Sequence, residues 1–436
     1  MVGFRTLHVA VLALLPVCMS LSSDVVGAMS TSIQVLSATI KDKPISGAEV
    51  IFQKNGQNSV VSRTNANGKA VATTRFGINE SSVLLIIKAT GYSTLIVKCP
   101  CDGMTYALSE TMTQLDGMRI VLTWGDHPED LDAHLIIKER NSFEHIYFNK
   151  KDGHYARLDV DSRIGWGPET ITIDNRRNQF RYLYAVHAFS DHPHADVQPN
   201  KVEAVARVEV YVGGSLVKTY YFGPNKIDDL LLLFGIDERG EIFDINQVQK
   251  DVQGEDAVDR ELKGRVVESS VAQHFGITFV NKDVKNGDVR VVDEAKDSRQ
   301  DSRSIDNTTR LNHQGEDAYH RGDFETAIQM FKSAIDAKSD YAQAYSNLGL
   351  AYQKSGRIPE ALWANRKAIA TATGSTKHIV RASSFYNIGR MYEEKNDMES
   401  AMLNYGWAQQ ENPKQVYVDS LQRASKAKKR GLKVGP

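Results

Sequence analysis

Three glycines near the C-terminus constrain this chain most: Gly315, Gly349 and Gly389 each open the same pattern. Alanine follows twelve residues on (Ala327, Ala361, Ala401), an aromatic or polar residue at sixteen (Phe331, Asn365, Tyr405) and alanine again at nineteen (Ala334, Ala368, Ala408). Small residues recurring in this way mark a helical repeat in which paired helices approach closely. The first two glycines are 34 residues apart and the next two 40. Extra residues around Thr371 to Lys377 must therefore lengthen a helix or bulge a turn. A lone unit cannot bury its apolar face, and roughly three are needed for independent stability, so the array is of minimum size.

The units G315-EDAYHRGDFET-A327, G349-LAYQKSGRIPE-A361 and G389-RMYEEKNDMES-A401, closed by Pro413, resemble the tetratricopeptide repeat (TPR) over about residues 308 to 414. The resemblance implies two antiparallel helices per unit, with Tyr352, Tyr392, Phe331 and Tyr405 filling the gaps between them, and a polar capping helix over Val416 to Lys429. It also implies a groove, lined by the first helices, that binds peptides or domains of another protein. That groove would present Asn312, Glu316 and Tyr319 from unit one, Gln343, Ser346, Leu350 and Lys354 from unit two, and Ser383, Tyr386, Arg390 and Glu394 from unit three. One subclass of the family clamps a partner's terminal carboxylate with Lys and Asn. Asn347 and Asn387 sit where one such Asn would, but the Lys partners are missing. The alternative is that both asparagines merely hydrogen-bond backbone.

A length of 436 residues suits about three domains, and 53 basic against 54 acidic residues argue against bulk electrostatic binding of nucleic acid. Charge is unevenly placed: the linker from about Asp237 to Asp306 is acidic, and the tail from Lys426 to Lys433 is basic. The first 28 residues read as an export signal, with Arg5 as the positive region, Leu7 to Val17 as the apolar core and small residues from Ser20 to Ala28 for cleavage. The apolar run is too short to span a bilayer, so no integral membrane segment is expected after signal removal, and the mature chain is expected in the periplasm or outside the cell. Cys18 leaves with the signal. Cys99 and Cys101 then remain, either paired with each other, free or intermolecular, or part of a metal site.

Residues 32 to 110 alternate apolar and polar positions in short runs broken by Lys43-Pro44, Asn55-Gly56, Asn67-Gly68 and Gly91-Tyr92, which predicts a small β sandwich of roughly seven strands. The runs I45-S-G-A-E-V50, T64-N-A-N-G-K69 and A89-T-G-Y92 resemble carboxypeptidase-regulatory-like or transthyretin-like modules, which implies a spacer or presenter. The next block, 111 to 248, carries L122-T-W-G-D-H-P-E-D-L-D-A-H-L135 and G167-P-E-T-I-T-I173. These runs resemble an uncharacterised secreted domain, and their alternation predicts a second antiparallel sandwich. Residues 249 to 308 turn polar and acidic and read mainly as a linker, with one hairpin at Asn281 to Val292. Such a linker would let the repeat groove search for a partner.

Carboxylates cluster at strand ends of the central block: Asp126, Glu129, Asp130 and Asp132 in the first motif, Asp159, Asp161 and Glu169 in the second. Calcium prefers six to eight oxygens, and Asp130, Asp132, Asp159 and Asp161 would supply several if the loops face each other. Strand alternation would put Asp159 and Asp161 on one face. The competing reading has Asp capping turns and Asp130 pairing with a nearby Arg such as Arg157 or Arg163. Seven of the twelve histidines lie between His127 and His194. Three of these imidazoles, His192 and His194 with His187 close by in sequence, could bind a transition metal, and His134 stands beside the acidic loop; the competing reading is exposed histidines in a surface insertion over Ser190 to Pro199. Trp124, Tyr147, Phe148 and Trp166 would suit a sugar-stacking platform or plug a core. The chain lacks G-x-S-x-G, a P-loop, G-x-G-x-x-G and H-E-x-x-H, so no catalytic residue is assigned.

The expectation is therefore a multidomain chain: two N-terminal all-β sandwich domains, an acidic linker at 249–308, an all-α TPR array at 309–414, and a capping helix with a basic tail at 415–436. Its function would be that of an exported non-enzymatic adaptor for another envelope or secreted protein. The alternative is a calcium-dependent glycan or cell-surface binder acting through the central domain, and a third possibility is an uncharacterised hydrolase using the acidic loops.

Overall fold

The structure, a computed structural model, describes residues 29–431 except 79, 126–127, 129, 164, 189–205, 224–229, 251, 253 and 275–300. The expected export signal, Cys18, Asp126, His127, Glu129, His192, His194 and the 281–292 hairpin lie outside the described residues.

Seven strands build the first domain: β1 (Met29–Ser37), β2 (Glu49–Lys54), β3 (Val60–Arg63), β4 (Lys69–Thr74), β5 (Val83–Lys88), β6 (Leu95–Lys98) and β7 (Thr105–Leu108). They form sheets ordered β4-β1-β7 and β3-β2-β5-β6. Strict alternation, as in K69-A-V-A-T-T74 with Ala70 and Ala72 inward, gives β4 one buried face. Cys99 and Cys101 are joined in a disulfide and lie buried in this core.

Among the described residues, the second domain is a ten-stranded antiparallel sandwich. Its strands are β8 (Met118–Thr123), β9 (Leu131–Glu139), β10 (Ser142–Ile146), β11 (Ala156–Val160), β12 (Glu169–Ile173), β13 (Arg181–Ala188), β14 (Ala206–Val212), β15 (Ser215–Phe222), β16 (Leu230–Ile236) and β17 (Ile242–Gln249). The sheets run β10-β9-β13-β16-β17 and β11-β12-β8-β14-β15. Trp124 is enclosed in the core between them and its indole N–H donates to Pro128 O at 2.9 Å, so it plugs the sandwich and offers no stacking face.

The stretch expected to be linker begins with a helix. Helix α1 (Glu255–His274) lays Val258, Leu262 and Val266 on the outer face of the β9-β13-β16 sheet, against Ile136, Leu183, Ala185, Leu230 and Leu232. This is why β9 is buried on both faces despite belonging to an antiparallel sheet.

The helical array follows as α2 (Asp301–His320), α3 (Phe324–Ala337), α4 (Ala342–Lys354), α5 (Ile358–Thr371), α6 (Lys377–Glu394), α7 (Met398–Glu411) and α8 (Gln415–Gly431). Each unit turns through a left-handed residue: Gly322 (φ 80°), Gly356 (φ 79°) and Asn396 (φ 61°). Asn stands in for Gly in the third unit because its short polar side chain tolerates that conformation. The extra residues of the second spacing lengthen both turn and helix: α6 has 18 residues against 13 in α4, after a turn through Gly374. No helix among the described residues is long and apolar enough to cross a membrane.

The array is fixed to the ten-stranded domain through α5, which overturns the expected freedom to search. Asp116, in the turn before β8, accepts from Arg366 Nη1 at 2.8 Å and from the Tyr392 hydroxyl at 2.5 Å, and Arg176 lies 3.5 Å away. Glu360 accepts from the Gly214 backbone N–H at 3.1 Å, and Arg357 donates to Ser215 Oγ at 2.8 Å. Trp363 packs against both hydrophobic cores.

Candidate functional site

Two places hold the residues singled out by sequence: the helices of the array and one end of the ten-stranded sandwich. Of the residues expected to line the groove, Gln343, Lys354 and Glu394 are exposed, and Glu316, Tyr319, Leu350, Tyr386 and Arg390 are partly covered. Asn312, Ser346 and Asn387 are buried instead. Asn347 Nδ2 donates to Asn312 Oδ1 at 3.1 Å and to Glu316 Oε1 at 2.8 Å, while its Oδ1 accepts from Gln343 at 3.1 Å. Asn387 donates to Asn365 Oδ1 at 3.2 Å. Both asparagines serve hydrogen bonds between side chains of the array, and a carboxylate, Glu316, sits on the amide a terminal carboxylate would need.

The carboxylates of the sandwich sort differently from the expectation. Carboxylate oxygens of Asp130, Asp132 and Glu169 lie within 4.8 Å of one another. Asp161 is near enough that its charge raises the pKa of all three. Asp159 turns away: it accepts from Arg157 Nε at 2.7 Å and from Thr172 Oγ1 at 2.5 Å. The reason is local. The β11–β12 register shifts between Leu158 and Val160, and β11 ends before Asp161, so the alternation that would align Asp159 with Asp161 is broken.

Two imidazoles complete the cluster, because ligand atoms of Asp132, His134 and His187 also lie within 4.8 Å of one another. Register explains this: His187 pairs with Asp132 across β13–β9, and Asp132 and His134 share the outer face of β9 by period two. His145 on β10 pairs with Ile136, on that same face. Its Nε2 is 2.9 Å from His134 Nδ1, and its Nδ1 is 3.0 Å from Asp259 Oδ1 on α1. Tyr147 stacks on His145, and Asn149 donates to Glu255 Oε2 at 2.9 Å, which ties the hairpin to the start of α1.

Burial and mutual repulsion push Asp130 up to about 6 and Asp132 up to about 8, and raise Glu169 well above the usual carboxylate range. Burial presses the imidazoles the other way, His145 to about 4 and His134 well below its ordinary value. Asp161 stays low because Lys151, at 2.7 Å, and Glu169 outweigh its burial. Asp132 Oδ2, His134 Nε2 and Glu169 Oε1 are all enclosed and have no hydrogen-bond partner.

His145 and Asp259 escaped the sequence reading. The apolar spacing Val258, Leu262, Val266 in the acidic stretch was the available signal for α1, and α1 is what carries Asp259 to the site.

Comparison with known proteins places residues 315–356 in the TPR repeat family and 382–414 in the tetratricopeptide repeat family. The C-terminal helices are TPR repeats. No curated protein matches the chain. Several solved structures each resemble less than a third of this chain. The N-terminal domain of stress-induced protein-1 from C. elegans is 19% identical, covers 28% of this chain and 97% of its own, and has a TM-score of 0.27. The Sgt2 TPR domain from Aspergillus fumigatus is 17% identical, covers 30% and 84%, and scores 0.27. The first TPR of Spaghetti (RPAP3), solved with an HSP90 peptide, is 17% identical, covers 28% and 93%, and scores 0.26.

Proposed function

We propose that this chain is an exported, non-enzymatic adaptor that binds another protein through the concave face of its TPR array, with the β half as a rigid mount. One observation carries the reading: α5 is locked to the sandwich through Asp116, Arg366 and Tyr392, while Gln343, Lys354 and Glu394 on the groove face stay exposed. The family match of the repeats supports a protein partner. Because Glu316 already occupies the Asn347 amide, the groove takes an internal segment or a domain surface in preference to a chain terminus. The seven-stranded module acts as a spacer of the transthyretin-like kind. The partner is an envelope or secreted protein met in the periplasm or outside the cell.

Truncating the array would bare the buried Asp116, so the test keeps the full chain. Crosslinked pull-down from the envelope compares it with a double variant, Lys354→Glu and Arg390→Glu, and with Asp130→Asn. A defined partner lost only in the double variant supports the reading. A partner kept by the double variant and lost with Asp130→Asn moves recognition to the β domain and sinks it.

A further inference from the structure

We infer that the end of the ten-stranded sandwich is a binding site for one divalent transition cation of the zinc class, ligated by Asp132, His134 and His187 with Asp130 and Glu169 beside them, and that helix α1 completes it. The two triads of ligand atoms share Asp132, and each spans no more than 4.8 Å. His134, Asp132 and Glu169 are 1%, 3% and 0% exposed, and each keeps an unpartnered polar atom inside the cluster. Buried polar atoms without partners are rare enough to require a reason, and a cation answers all of them at once.

The hydrogen-bond chain prepares His134 for this role. A carboxylate only accepts, so Asp259 Oδ1 takes the Nδ1 proton of neutral His145. That leaves His145 Nε2 as acceptor for the Nδ1–H of His134. The His134 Nε2 lone pair is thereby left available for a cation held with Asp132 and His187, the arrangement by which an outer carboxylate fixes a ligating imidazole. Lys263, 2.6 Å from Asp259 Oδ2, holds that carboxylate in turn. Asp259, Lys263 and the Glu255 that ties down the Asn149 loop all lie on α1, so the segment that reads as linker is the outer wall of the site.

The donor set selects the ion. Calcium takes six to eight oxygens, and Asp159, which would have helped supply them, is committed to Arg157 and Thr172. Two imidazoles with carboxylates suit zinc, cobalt or iron. The partly exposed Asp130 marks the side from which the ion enters.

The test strips the full-length protein with a chelator, then titrates it with Co²⁺ and follows the visible ligand-field bands. One equivalent is expected, displaced by one equivalent of Zn²⁺ and not by Ca²⁺ at the same concentration. His134→Gln and Asp132→Asn should abolish the bands. His145→Gln and Asp259→Asn, which act by positioning, should weaken binding about 10–100-fold and leave the band shape intact. Asp159→Asn should bind as the parent does. X-ray absorption of the zinc-loaded parent should show two imidazole ligands, a measurement that stands even if a variant fails to fold. Oxygen-only coordination, equal displacement by Ca²⁺, or retention of the bands in folded His134→Gln overturns the inference.

Discussion

At the scale of single residues, the array is built on glycines that leave no room. A Cβ on Gly315 would come within 2.5 Å of the Phe331 ring, and one on Gly389 within 2.6 Å of the Tyr405 ring. Alanine would gain about 1 kcal/mol in helix propensity, but forcing a methyl into a packed core costs about 1–3 kcal/mol. Gly315→Ala and Gly389→Ala are therefore expected to lower stability in denaturant unfolding; a rise in midpoint for either would show that the rings move aside. In the second unit Asn365 takes the aromatic position and is satisfied by Ala361 O at 2.8 Å and Asn387 Nδ2 at 3.2 Å. Asn387→Ala removes a partner from this buried amide and should cost about 1–3 kcal/mol, measured by thermal unfolding. Aspartates were harder to read than glycines. Residue type put Asp159 in the cluster, yet a single register shift in β11 hands it to Arg157.

Helix α1 is the element that composition hid. Its charged residues dominate any average over 249–308, while three apolar residues four apart decide where it lies. Leu262 is fully buried against β13 and β16 residues. Leu262→Ala should destabilise by about 2–5 kcal/mol through the cavity it leaves. Amide exchange should then quicken in β9, β13 and β16, the strands α1 covers. Unchanged exchange there would mean that the helix does not hold the sheet. Alternation, by contrast, made the sandwich strands legible, because a strand with one buried face writes its period directly into the sequence.

Across the whole molecule, the joint at Asp116 governs what the array can do. Burial alone would raise the Asp116 pKa; the charges of Arg366 and Arg176 outweigh it and hold the carboxyl below its usual range. A carboxylate depressed on folding stabilises above its unfolded value of about 3.9, and that stability is lost as pH falls through the lower folded value. Acidification below pH 4 is thus expected to free the array from the sandwich, seen as a larger radius of gyration in solution scattering. Arg366→Leu leaves Asp116 and Arg176 in an incomplete buried cluster and should cost about 3–5 kcal/mol, with new protease cleavage between the two halves at neutral pH. A radius unchanged by acid and by Arg366→Leu would place the strength of the joint elsewhere.

The repeat spacing, the strand alternation and the exclusion of common catalytic motifs were determined by the sequence alone, because each is a local pattern whose physical meaning survives without neighbours. Tertiary structure decided the rest. Asp116 and Arg366 are far apart in the chain and meet only when α5 docks. His145 meets Asp259 only because α1 folds back over β9, β13 and β16. Contacts of that kind depend on which elements pack together, and neither composition nor periodicity records it.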